Sequence, residues 1–167
     1  MTINTQDSSA ALARLFAELI EGAAEHGDAF ALNSGDRGLL RSLDLLPAEA
    51  ASHAVNGGAT IAAHARHLQY GLSLMNRWAD EGGNPFADAT WDAAWKTSGV
   101  DETEWSDIRN GLRAEATRWL AALGAPRTVE PVEFTGMLAS IAHLAYHLGA
   151  IRQISKDARG PREGTFR

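Results

Sequence analysis

Apolar residues recur three and four positions apart through most of the chain, and this spacing predicts long amphipathic helices. Leu12, Phe16, Leu19, Ile20 and Ala23 predict a first helix from Ala10 to about Glu25, with Ser8 or Ser9 as N-cap and Gly27 as its stop. Asn33-Ser34-Gly35-Asp36 is turn chemistry, and Leu39 to Leu46 reads as a shorter helix or an extension that Pro47 ends or restarts. After the break at Asn56-Gly57-Gly58, Thr60 caps a second long helix running to Ala79, striped by Ile61, Leu68, Leu72 and Met75. Gly82-Gly83-Asn84-Pro85 halts it. Phe86 to Val100 has no period, yet Trp91 and Trp95 predict that it packs back on the outside of the helices. Asp101-Glu102-Thr103-Glu104 has the acidic form of a capping box and opens a third helix carrying Trp105, Ile108, Leu112, Ala116, Trp119 and Leu123. Gly124 and Pro126 close it. Pro131 opens the last helix, through Met137, Ile141, Leu144, Leu148, Ile151 and Ile154 to about Ala158.

No segment alternates like a strand, so the expected class is all-α: a four-helix bundle with a long crossover between the second and third long helices. A chain of 167 residues is enough for one core, and residues 1–160 are expected to form a single domain followed by a mobile tail, 161–167. The formal charge of −6 comes without a Lys/Arg block, which argues against a nucleic-acid partner. The absence of cysteine removes disulfides, thiolate metal sites and a cysteine nucleophile, and suits a reducing compartment. Met1 to Ser9 lacks the basic-then-apolar order of a signal peptide, and no uninterrupted apolar run approaches the roughly 20 residues that span a bilayer. A soluble cytoplasmic protein with no membrane partner is expected.

The candidate chemistry is histidine. His143 and His147 lie four apart in the last helix, one turn above the other on its inner flank, and His64 and His67 lie in the second. Two imidazoles from one helix and one from a facing helix would make a three-nitrogen metal site with a position open for water or substrate. Periodicity alone chooses His64 over His67, because it is nearer the centre of the apolar stripe. His26 and His53 have no partner at ligand spacing and read as ordinary core or boundary residues. Glu-x-x-His, His-Glu-x-x-His, Gly-rich phosphate loops and Gly-x-Ser-x-Gly are all missing. Glu18, Glu21 and Glu25 read as a solvated face, although Glu18 or Glu21 could act as a base beside a metal. Trp91, Trp95, Trp105 and Trp119 read as core and loop anchors in preference to a cofactor cage, Tyr70 and Tyr146 as surface or supporting residues, and Arg152 and Gln153 as solvent-facing by default, with a hydrogen bond to a ligand near the last turn as the alternative.

The segment His-Leu-Ala-Tyr-His-Leu-Gly-Ala-Ile, 143 to 151, resembles the closing His-x-x-x-His-x-Gly-x-Ile signature of DinB-like metal-binding bundles. Thr60-Ile61 through His67-Leu68 is similar to that family's opening Ser-Ile-x-x-x-x-x-His-Leu. The resemblance implies that His67, His143 and His147 are the metal ligands, and leaves His64 as a fourth ligand, a supporting donor or a bystander. It also implies an up-down-down-up bundle, a divalent transition ion such as nickel, zinc or iron, and a homodimer. This chain has Gly149-Ala150-Ile151 where many relatives carry Gly-Gln-Ile, with Gln153 displaced.

Three functions are compatible with this reading. One is a metal-dependent enzyme, a thiol S-transferase or a hydrolase, that activates a low-molecular-weight thiol or water toward a small-molecule substrate. The second is a non-catalytic metal-binding dimer of a stress response. The third is a helical interaction protein whose histidines are core residues.

Overall fold

The computed structural model describes residues 5–23 and 28–161. Glu25, His26 and Gly27, and the tail beyond residue 161, lie outside the described residues. The described chain is all-helical. Four long helices, α1 (Thr5–Glu21), α4 (Ile61–Glu81), α6 (Glu102–Gly124) and α7 (Pro131–Ile154), are joined by short ones, α2 (Gly38–Asp44), α3 (Ala48–Ala51) and α5 (Asp92–Trp95). A single 3-10 turn, Lys156–Ala158, follows α7. α4 and α1 each pack against both α6 and α7. Between them lies one core, with Phe16, Ile61, Trp105, Leu112, Leu123 and Ile151 wholly buried.

Local signals fix the helix ends. The Thr60 hydroxyl accepts the Ala63 N–H at 3.1 Å and starts α4. The Asp101 carboxylate accepts the Glu104 N–H while the Glu104 carboxylate accepts the Asp101 N–H, a complete capping box at the head of α6. Several boundaries differ from the sequence reading. α1 begins at Thr5, which puts Ser8 and Ser9 inside the helix, and it ends at Glu21 because Gly22 turns to φ +102°. A Cβ at Gly22 would collide with the Asp36 carbonyl, and one at Gly38 with the Gly22 backbone, so these two glycines permit the close approach of α1 to the start of α2. α7 stops at Ile154, short of Ala158: Ser155 is extended and its hydroxyl accepts the Asp157 N–H at 3.2 Å.

The two deepest indoles tie helices together. Trp105 Nε1 donates to the Leu46 carbonyl at 2.7 Å, and Trp119 Nε1 to Ser140 Oγ at 2.9 Å. α7 is long and apolar enough by length and composition to cross a membrane. Met137, Leu144, Leu148 and Ile151 bury one face of it in the core, while Val132, Leu138 and Tyr146 leave its outer face apolar and exposed.

Candidate metal centre

α4 and α7 face each other across the middle of the molecule, and their four histidines meet there. His67 Nε2 lies 3.1 Å from His143 Nε2, which lies 2.9 Å from His147 Nε2. One ring nitrogen from each of these three falls within 4.8 Å of the other two, so the three histidines could hold one metal ion. His147 and His67 are buried, and His143 is half-buried. His53 is exposed and is not among the clustered histidines.

The donor set fits a cation. A neutral imidazole nitrogen carries either one hydrogen or one lone pair, so His143 Nε2 can complete only one of its two short contacts as a good hydrogen bond. Three nitrogens that converge on one point with one proton too many or too few suit a positive centre between them. Two nitrogens bound to the same ion at ordinary zinc–imidazole lengths stand about 2.9–3.4 Å apart, depending on the angle. The two separations observed here lie in that range. Burial is consistent as well. Desolvation first, then the neighbouring His143 and His64 rings, pushes His67 down to about 4. Desolvation, then His143, His64 and His67, pushes His147 down to about 3. Burial lowers His64 and His143 too. All four imidazoles are therefore held in the neutral form that a metal requires.

His64 occupies a different place from the other three. Its Nδ1 lies 2.8 Å from His147 Nδ1, on the side of the His147 ring away from the cluster. If His147 turns an Nε2 lone pair toward an ion, its hydrogen is on Nδ1, and His64 Nδ1 is the acceptor of that N–H. This is the outer partner that fixes the tautomer and rotation of a ligating imidazole. His67 has no such partner: its Nδ1 is buried without a hydrogen bond. Ring stacking holds it in place, with the Trp95 indole 4.4 Å away at 29°.

Trp95 and Trp91 were legible only as loop anchors, and here they roof the histidines. Trp95 also meets His64 edge-on at 5.4 Å and His147 at 5.9 Å, while Trp91 lies 5.3 Å from His67. The segment that carries them is pinned by Thr60 Oγ1 donating to the Thr97 carbonyl, by Thr90 N–H donating to the Tyr70 hydroxyl, and by the Arg77–Asp88 ion pair. The missed signal was spacing: two tryptophans four apart, like the two histidines four apart, can share one side of a turn. Trp105 and Trp119, in contrast, are core residues.

Glu18 of α1 does something other than the sequence suggested. Glu18 is buried, and its carboxylate accepts N–H groups from Phe30, Ala31 and Leu32 at 2.7–3.1 Å. It is neither a solvated residue nor a free base; it holds the 30–32 segment against α1. Glu21 is exposed, and Glu25 is outside the described residues. Arg152, expected to face solvent, is largely covered and pairs with the buried Asp36 at 2.6 Å. Comparison with known protein families, with characterised proteins and with solved structures gives no match to this chain.

Proposed function

We propose that the chain is a DinB-like metal-dependent protein: an up-down-down-up four-helix bundle that holds a divalent transition ion, nickel, zinc or iron, through His67, His143 and His147. The observation that carries this reading is the convergence of one imidazole from α4 and two from α7 at hydrogen-bond spacing around a common point. An ion held by three nitrogens keeps a coordination position open and there lowers the pKa of a thiol or a water, the chemistry of a thiol S-transferase or a hydrolase. The chain's own residues prepare that position. His64 sets the His147 tautomer, Trp95 and Trp91 limit water around the rings, and burial keeps the imidazoles unprotonated. In this reading the protein works in the cytoplasm as a homodimer, with the exposed apolar side of α7, Val132, Leu138 and Tyr146, as its partner surface.

Elemental analysis and Zn²⁺ or Ni²⁺ titration of untagged protein test the proposal. One equivalent of metal, lost in His67→Ala, His143→Ala and His147→Ala, is the expected result. Protein that folds and purifies without metal and takes up none on titration would refute it. Metal that raises the melting temperature with no thiol-dependent loss of any electrophile would keep the site and remove the enzyme.

A further inference from the structure

Beside the histidine cluster, between α4, α7 and the segment of Phe86 and Trp91, lies a cavity of about 370 Å³. Leu68, Leu72, Met75, Phe86, Trp91 and Leu144 supply its walls, and no charged side chain lines it. Ser140 also borders it, but that hydroxyl is committed, accepting from Trp119 Nε1 and donating to the Met137 carbonyl at 2.7 Å. His143 also lines it, and through its Nε2 contacts with His67 and His147 it joins the cavity to the histidine cluster.

The bare backbone at Gly71 opens space in the cavity wall, and Gly136 makes room for the Trp78 ring. A Cβ on Gly71 would lie 3.7 Å from the Trp91 ring and 3.9 Å from His143 Cε1, so the bare backbone of α4 forms the wall next to the cluster. At Gly136 a Cβ would overlap the Trp78 ring. A glycine inside a helix costs about 1 kcal/mol relative to alanine. At Gly71 that cost has no backbone cause, since its φ is an ordinary one and a Cβ would meet only van der Waals neighbours. What the missing side chain leaves is room between Trp91 and His143.

We infer that this cavity is a binding site for an uncharged, mainly aromatic or hydrocarbon molecule, oriented with a single donor atom toward the His143 end. Its volume lies in the range of small-molecule sites, and its walls offer dispersion and ring contacts with nothing to pair a phosphate, a carboxylate or a sugar hydroxyl array. The donor-atom end rests on the metal reading given above; the apolar body does not. A bound molecule of this kind would present one atom at the open position while its bulk lies between α4, α7 and the Phe86–Trp91 segment.

The test uses the full chain, metal-free and Zn²⁺-loaded, titrated with N-phenyl-1-naphthylamine, a neutral fluorescent two-part aromatic, and with its sulfonated analogue 8-anilino-1-naphthalenesulfonate. Saturable one-to-one binding of the neutral probe is expected, with the sulfonate at least about tenfold weaker. Gly71→Leu fills the cavity while favouring the helix, and Ala139→Trp blocks its exposed mouth; each should weaken the neutral probe about tenfold or more. No binding by the wild type, or binding that neither substitution weakens, overturns the inference. For the donor end, naphthalene-2-thiol should gain about tenfold over 2-methylnaphthalene only in the Zn²⁺-loaded protein, and equal affinities overturn that part. If the wild type takes up no Zn²⁺ but binds the neutral probe as described, the metal reading fails and the apolar site stands.

Discussion

His64 Nδ1 and His147 Nδ1 face each other at 2.8 Å, and this contact joins His64 to the histidine cluster. It uses the nitrogen of His147 that points away from His143, leaving the other for an ion. His64→Ala is therefore expected to leave the fold intact and weaken Zn²⁺ binding about 10–100-fold, less than loss of a direct ligand. His64→Asn, which keeps an acceptor oxygen, should lose less than His64→Ala. Calorimetric Zn²⁺ titration of both variants checks this, and unchanged affinity in both would make His64 a bystander.

Metal binding should be unusually tolerant of mild acid. His67 and His147 are held near 4 and 3, well below the ordinary 6.5. Two imidazoles of ordinary pKa would lose about 100-fold of metal affinity to protonation at pH 5.5. Here the fall between pH 7.5 and 5.5 should be several-fold at most. Zn²⁺ affinity across that range, measured with a buffer-corrected competition assay, distinguishes the two.

The same shifts set the acid stability of the metal-free chain. Above pH 6.5 these histidines are neutral whether the chain is folded or not, and they do not change its stability. Below 6.5 the unfolded chain takes up protons that buried His67 and His147 refuse, so stability falls steadily as the pH drops toward 4 and 3. Urea midpoints of wild type and of a His67→Gln/His147→Gln double variant should diverge, with the variant showing the shallower decline.

Glu18→Ala should cost stability and spare the metal. Three backbone N–H groups lose a charged acceptor, which is worth about 2–4 kcal/mol. Chemical denaturation should show that loss while Zn²⁺ affinity stays unchanged; the opposite pattern would restore Glu18 to the site.

Gly22→Ala should be among the most damaging small substitutions outside the core. It combines a positive φ with a collision against the Asp36 carbonyl, and about 2 kcal/mol or more, roughly 5 °C in Tm, is expected. Thermal unfolding followed by circular dichroism measures it.

The long helices could be read from the chain because their signals are local. Thr60 three residues before Ala63, and Asp101 three before Glu104, are complete caps within a single turn. His143 and His147 were likewise visible as a pair on one helix. What the sequence concealed depends on residues distant along the chain. Periodicity ranked His64 above His67 because it measures closeness to the stripe centre, whereas the cluster is decided by which ring nitrogen meets the Nε2 side of His143 and His147: His67 does, and His64 meets the Nδ1 side of His147. The segment around Trp91 and Trp95 has no period, so only tertiary packing reveals what it covers. Glu18 looked like surface because its partners, Phe30 to Leu32, lie in a loop with no helical pattern. Arg152 and Asp36, 116 positions apart, gave no sign of meeting.

The indoles over the imidazoles belong to a connecting segment and not to the helices that bear the histidines. Side-chain tethers from Thr60, Tyr70, Arg77 and Ser52 hold that segment, so its displacement would break these contacts without unwinding a turn of α4 or α7. Traffic of ions and small molecules in and out would then be timed by the breaking of those tethers, on the clock of loop motion and not of global unfolding.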